Sequence, residues 1–222
     1  MTTARKPDQE HELSKDLYFG DAYFEWRQLS SMCQQLIEIN KLKPKTLLEI
    51  GKGNGFVCDF LKKSGIEVTT LDINPNLEPD IVGSITDLDQ YFSPGQFDCI
   101  LCSEVLEHIP LVHFEPSLKQ MAAISRKNVV ITLPVFQRSL LDFQARFKIG
   151  KMKHREMGLR IPFKGKGMFA GHHWEINHSK ETKKKEILRT FGEVFESVDY
   201  FRYRWQPFHM FFILGTGGDA NT

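Results

Sequence analysis

Residues 47–56 read LLEIGKGNGF: an apolar run, an acid within it, and then three glycines inside five positions. An apolar run that stops on glycine reads as a buried strand emptying into a turn. Glycines this dense strip side chains from the turn, so a ligand meets the backbone itself there. Three kinds of ligand leave different flanks. A P-loop requires Lys and then Ser or Thr after its last glycine. Gly55 is followed by Phe56 and Val57, which excludes it. A dinucleotide fingerprint requires G-x-G-x-x-G. Gly51 and Gly53 fit, but Phe56 occupies the third position and the third glycine falls one place early, at Gly55.

The surroundings of this turn set the fold class. Apolar strand patterns occupy 45–50, 66–73, 79–84, 96–103 and 128–134. Helical spacing covers 21–40, 55–65 (stopping at Gly65) and 113–125, where Pro116 suits a first turn. Strands alternating with helices at this rhythm give parallel βαβ units with both sheet faces covered. After 134 the pattern breaks. Residues 135–178 show no clear strand and carry many basic residues, from Arg138 to Lys166. Helical order resumes at 179–192, with Ser179 as N-cap and Gly192 as the stop. Two strands, 194–204 and 208–216, close the chain. The short WQP turn (205–207) pairs them antiparallel. The expectation is α/β: a Rossmann-like doubly wound seven-stranded sheet, mostly parallel, with an antiparallel last strand. One domain spans 1–222. It comprises an N-terminal helical segment and lid (1–44), a cofactor-binding core (45–134), a basic insertion over an acceptor site (135–178) and a C-terminal helix and strand pair (179–222).

The pattern acid-x-G-x-G-x-G after the first strand, with VLEHIP after the fourth, resembles class I S-adenosylmethionine-dependent methyltransferases. The likeness is to the small-molecule, methyltransferase type 11-like branch, and it is strongest over residues 45–134. It implies S-adenosylmethionine as cofactor, S-adenosylhomocysteine as product, and roles for particular residues. Glu49 stands two before Gly51, as the family motif requires. Gly51, Gly53 and Gly55 form the cradle. Asp72, ending the second strand, would accept both ribose hydroxyls. Ile73 would pack on the adenine face. Ser84 stands where the family often has Asp, so its hydroxyl or the Ile85 backbone would meet the adenine edge. Ser103 begins the loop that lines the methionine end. His108 either reaches that end or packs a helix start. Lys52 replaces a small residue and is expected to point outward.

The acceptor is less legible. In this fold acceptor contacts come from the N-terminal segment and from the insertion after the fifth strand. LYFGDAYFEW (17–26) gathers aromatics, with Tyr18 the candidate lid and core packing the competing role. GHHWEINH (171–178) offers His172, His173 and Glu175 for catalysis or acceptor binding, with histidine titrating near neutrality and Glu175 able to orient it. It reads equally as a structural loop in which Trp174 plugs the core and Glu175 caps backbone. Adjacent His172 and His173 make a poor metal pair with no third ligand evident, and no metal is expected. The basic run 146–166 reads as a solvated flap, as a receiver for an anionic acceptor, or as a nucleic-acid or membrane-surface contact.

Composition narrows these readings. A net charge of +1 supplies no global field for nucleic acid or membrane. No run of 18 apolar residues is present, and the first 16 residues are polar, loosely ordered and unlike a signal peptide, so a cytoplasmic location is expected. The four cysteines read as reduced, mostly buried thiols. Cys99 and Cys102 have C-x-x-C spacing, but on a strand positions three apart face opposite sides, which argues against redox or metal duty. The expected partner is a small molecule, an anionic one if the basic run receives it. The rival readings are a non-catalytic binding module, favoured by Ser84 and Lys52, and a methyltransferase acting on RNA. The RNA reading lacks a strongly basic chain or an Asn/Asp-Pro-Pro-Tyr strand end.

Overall fold

Apolar residues on successive strand positions face opposite sides of a sheet, and in this chain both sides are buried. In a computed structural model, which describes residues 7–21, 23–136, 138–148, 155–163, 168–204 and 208–217, these faces form two packed layers. The strands are β1 (Thr46–Ile50), β2 (Glu67–Asp72), β3 (Ile81–Val82), β4 (Phe97–Ser103), β5 (Ser125–Pro134), β6 (Arg138–Phe147), β7 (Arg155–Phe163), β8 (Ser197–Arg202) and β9 (His209–Gly215). The helices are α1 (Lys15–Tyr18), α2 (Trp26–Leu42), α3 (Phe56–Lys63), α4 (Phe114–Ile124) and α5 (Lys184–Val194). On one face Leu47, Cys99 and Val130 pack with Met32 and Ile39 of α2 and Val57 and Leu61 of α3. On the other, Leu48, Cys102, Ile131 and Phe212 pack with Leu118 of α4 and Phe191 of α5. Cys99 and Cys102 thus lie on opposite faces, as strand geometry requires, and all four cysteines are free, with Cys33 exposed.

Seven strands form one sheet in the order β3-β2-β1-β4-β5-β9-β8. The pairs from β3 to β5 are parallel, and β9 runs antiparallel to both neighbours. The winding reverses between β1 and β4. In open α/β sheets that reversal opens a crevice beyond the strands' carboxyl ends. Register brings specific residues to this edge. Ile50 pairs with Leu71 and with Cys102, so Gly51, Asp72 and Ser103 follow side by side. Because β9 is antiparallel, its first residue, His209, opposes Pro134 and lands on the same edge.

Several expectations are corrected. Residues 135–178 contain a β-hairpin: β6 pairs antiparallel with β7, Phe143 opposite Leu159 and Leu141 opposite Ile161. Its apolar residues recur at every second position, with Arg146 and Arg160 on the alternate ones, which is the period of a strand. The hairpin's base is tied to the sheet edge, where Phe136 N–H donates to the Ile176 carbonyl (2.8 Å) and Ile176 N–H to that of Pro134 (2.9 Å). The first long helix begins at Trp26, not at 21. Helix α5 begins after Lys183, where the Asn177 side chain accepts from Lys184 N–H (3.0 Å). Ser179 instead bonds Thr182 upstream. Gly192 lies inside α5, which continues to Val194 because Phe191 and Phe195 hold that turn in the core. Part of the N-terminal segment expected to be loose, Pro7–Glu12, forms a 3-10 turn. The WQP turn, and Lys151, Lys153, Lys164 and Lys166 of the basic run, fall outside the described residues.

Candidate functional site

The crevice beyond β1 and β4 is a cavity of about 800 Å³. Its floor is the glycine turn. Gly51, with φ +83°, donates its N–H to the Leu71 carbonyl (2.8 Å), and a Cβ there would lie 2.3 Å from Val105 Cγ2. Gly53, with φ +55°, has nothing within 4 Å of the position a Cβ would take, so its backbone faces open space. Gly51 and Gly53 line the cavity, whereas Gly55 sits behind it as the N-cap of α3. Lys52 does not point outward. Its Nζ donates to the Leu77 (2.8 Å) and Glu78 (2.6 Å) carbonyls and clamps the glycine turn to the segment after β2.

Two acids stand beside this turn. Glu49 is 5% exposed, and its Oε2 has no hydrogen-bond partner among the described residues. Burial, reinforced by the nearby Asp59 and Asp72 charges, pushes its pKa up to about 8. Asp72 is buried at the end of β2. Its Oδ1 accepts from Asn74 N–H (2.9 Å) and its Oδ2 from Gly53 N–H (3.4 Å). Burial raises its carboxyl above the usual range despite those donors. Ile73, Ser84 and Ile85 continue the wall. The Ser84 hydroxyl is occupied locally, accepting from Thr86 N–H (3.2 Å) and bonded to Thr86 Oγ1 (2.8 Å). Of the N-terminal aromatics, Tyr18 and Tyr23 line the cavity with their rings 5.3 Å apart, while Phe19, Phe24 and Trp26 are exposed.

The far end is built from side chains. Ser103 Oγ accepts from Gln35 Nε2 (2.7 Å) and bonds Thr132 Oγ1 (2.7 Å). Glu104 adopts φ +55°, an uncommon conformation for a non-glycine residue, which turns its carboxylate toward Thr132 Oγ1 (2.8 Å) and His209 Nε2 (2.9 Å). Burial opposes the charge on Glu104, but His209 and Thr132 hold its carboxyl below the ordinary range. His209 is held in turn by Ser31 (2.9 Å). His108, on the 3-10 turn Leu106–His108, lines the cavity, its Nδ1 2.9 Å from the Gly171 carbonyl and 3.2 Å from Glu10 Oε1.

His172 also lines the cavity, and its Nδ1 meets Glu175 Oε1 at 2.9 Å; the same oxygen accepts from Phe169 N–H. Glu175 therefore stands behind His172 and not on the wall. His173 is likewise off the wall, its N–H donating to the Glu107 carbonyl (2.8 Å). Trp174 is buried, donating to the Ile109 carbonyl and packing on Phe114. Sequence reasoning missed Glu10, Glu104, Glu107 and His209. A different grouping exists, which the sequence did not reveal: His172 stands not with His173 but with His108 and Glu107, the three bringing one ligand-capable atom each to within 4.8 Å of the others. The available signals were the acids inside SEVLEH and the antiparallel sense of the last strand, which delivers His209 to this edge.

Known proteins match this architecture. In Xanthomonas campestris pv. campestris (strain B100), a ubiquinone biosynthesis O-methyltransferase is 32% identical over 78 residues, 29% of this chain and 32% of that one. Its namesake from Alkalilimnicola ehrlichii is 25% identical over 137 residues, 49% of this chain and 53% of that one. The chain thus spans from a third to about half the length of these curated relatives. Among solved structures, the methyltransferase domain of bacterial CtHen1 superposes with a TM-score of 0.55 at 14% identity, covering 85% of this chain and 99% of that one. The Burkholderia thailandensis 1,6-didemethyltoxoflavin-N1-methyltransferase, solved with S-adenosylhomocysteine bound, gives 0.54 at 15% identity, covering 89% and 84%. These structures share the fold. The family model described as "Methyltransferase domain" matches residues 23–183, most of the chain. The protein belongs to the methyltransferase domain family.

Proposed function

We propose that the chain is an S-adenosylmethionine-dependent methyltransferase that holds the cofactor at the β1–β2 end of the cavity and a small acceptor at the β4 end. The observation that carries this reading is the continuity of one cavity from Glu49, Gly53 and Asp72 to Ser103, His108 and His172. The residues present fit the group. Gly53 leaves open space where a side chain would stand. Asp72, pinned by two backbone N–H groups, keeps lone pairs for ribose hydroxyls. Ile73 offers an apolar face to a purine. Since the Ser84 hydroxyl is occupied, the adenine edge falls to the Ile85 backbone. A buried acid beside the cavity, Glu49, suits a ligand that carries positive charge.

When bound, S-adenosylmethionine supplies a methyl group already activated on a sulfonium. The residues of this chain then align the acceptor and exclude water. Tyr18 and Tyr23 cover the rim. His172 stands at the acceptor end with Glu175 fixing its ring, while His173 positions the loop through Glu107. Glu10 and Glu104 line the acceptor end, which favours a neutral hydroxyl-bearing acceptor over an anionic one. Calorimetric titration with S-adenosylhomocysteine tests the cofactor half. Saturable binding is expected in the wild type and its collapse in Asp72→Ala; no binding by folded wild type would contradict it.

The hairpin favours a second contact. Leu141, Phe143, Phe147, Met157, Leu159, Ile161 and Phe163 alternate along β6 and β7 and are all exposed. The sequence around the hairpin is basic. Such a face suits an anionic lipid surface. Co-sedimentation with phosphatidylglycerol vesicles, lost in a Phe143→Ser, Leu159→Ser double variant, is the expected outcome; equal sedimentation of both proteins would exclude it.

A further inference from the structure

Glu107 lies fully buried between the cavity and the core, and neither of its carboxylate oxygens has a hydrogen-bond partner among the described residues. An isolated buried carboxylate is costly and calls for a counter-charge.

The two histidines beside it are arranged in a complementary way. His108 Nδ1 faces the Gly171 carbonyl at 2.9 Å, and a carbonyl only accepts, so Nδ1 carries the proton. His172 Nδ1 faces Glu175 Oε1 at 2.9 Å, an oxygen that also receives Phe169 N–H, so this Nδ1 donates as well. Each ring therefore leaves Nε2 as its ligand-capable nitrogen. The rings stand edge to face, 4.9 Å apart. With Glu107 they bring three ligand-capable atoms within 4.8 Å of one another. An imidazole whose remote N–H is bound by a carboxylate or a backbone carbonyl is the usual outer arrangement of a metal-ligating histidine.

We propose that Glu107, His108 Nε2 and His172 Nε2 bind one divalent first-row transition-metal ion at the β4 end of the cavity. Two imidazoles and a carboxylate suit Zn²⁺, Mn²⁺, Fe²⁺ or Co²⁺ better than the oxygen-seeking Ca²⁺ or Mg²⁺. Both histidines line the cavity, so the ion's remaining positions open into it. An oxygen donor such as a hydroxyl of the acceptor takes one of them. This last step rests on the methyl-transfer reading, while the ion site stands on the cluster alone. Glu175 and the Gly171 carbonyl act as positioning groups, each fixing one histidine ring.

The test uses the full chain, stripped with EDTA and titrated with Co²⁺ while the visible d–d bands are followed, with Zn²⁺ as competitor. One equivalent is expected, displaced by Zn²⁺. His108→Ala and His172→Ala should each weaken binding by ~100-fold or more, and Glu175→Ala by ~10-fold, the scale of outer-shell losses. His113→Ala, on the exposed turn before α4, should bind as wild type does. Circular dichroism melts confirm that each variant is folded. Wild-type protein that takes up no saturable equivalent would overturn the proposal, whatever the variants do, and so would binding unchanged in both histidine variants. A parallel titration of the metal-free chain with S-adenosylhomocysteine reports the cofactor pocket separately, so failure of one reading is not mistaken for failure of the other.

Discussion

The two ends of the cavity are made from different materials. The β1–β2 end is built mainly from backbone: positive-φ glycines, an N–H donated to Asp72, and carbonyls that hold Lys52. All of it comes from one stretch, residues 49–78. The β4 end is built from side chains, with Glu10, Glu104, Glu107, His108, His172, Glu175 and His209 arriving from four separate segments. A site made of backbone needs particular residues at particular local spacings, so it is written contiguously. A site made of side chains needs only that the fold deliver them, and the distances that matter run across the chain.

Substitutions at either end put this contrast to the test. The largest effect is expected at Glu49. Its pKa is raised to about 8 in the folded chain, so the protonated form is favoured by folding. The stability this represents is complete below the ordinary carboxylate range and is lost as pH rises from there through about 8. At about 1.4 kcal/mol per unit of pKa difference, Glu49→Gln should remove several kcal/mol of pH dependence, making the variant the more stable protein at pH 8. Urea unfolding at pH 5 and pH 8 measures this, and parallel losses in both proteins would contradict it.

Next comes Gly51→Ala, which adds a methyl 2.3 Å from Val105 Cγ2 at φ +83° and should cost about 2–4 kcal/mol of stability, read from thermal melts. At the side-chain end, Glu175→Ala should lower kcat by ~10- to 100-fold with S-adenosylhomocysteine affinity unchanged, because it frees His172 without touching the cofactor wall. If cofactor affinity fell in step, the two ends would not be separable. The smallest effect is expected for Lys52→Ala, about 1 kcal/mol of stability from two lost hydrogen bonds to carbonyls.

The same contrast governs what was legible beforehand. Buried parallel strands are continuous apolar runs, so β1, β2, β4 and β5 and their order could be read directly, and the glycine turn located the crevice. The β6–β7 hairpin does carry a strand's period-two alternation, but it lies in a run rich in Lys and Arg, a composition that reads as a solvated segment. The end of α5 was misplaced because Gly192, a common stop signal, is overridden by the packing of Phe191 and Phe195. Lys52 looked like a solvated cation because the carbonyls it binds lie 25 and 26 residues away. Glu10 and His209 carry no local mark at all. Only the antiparallel sense of β9 and the docking of the N-terminal turn bring them to the site.

The measurement that bears most directly on this division of the cavity is a crystal structure of the chain grown with S-adenosylhomocysteine. The expected result places the ribose hydroxyls on Asp72, the adenine beside Ile73 and Ile85, and the thioether sulfur toward the Ser103–His108 loop. A ligand bound elsewhere, or one lying in the reverse direction with its adenine against His108 and His172, would contradict it.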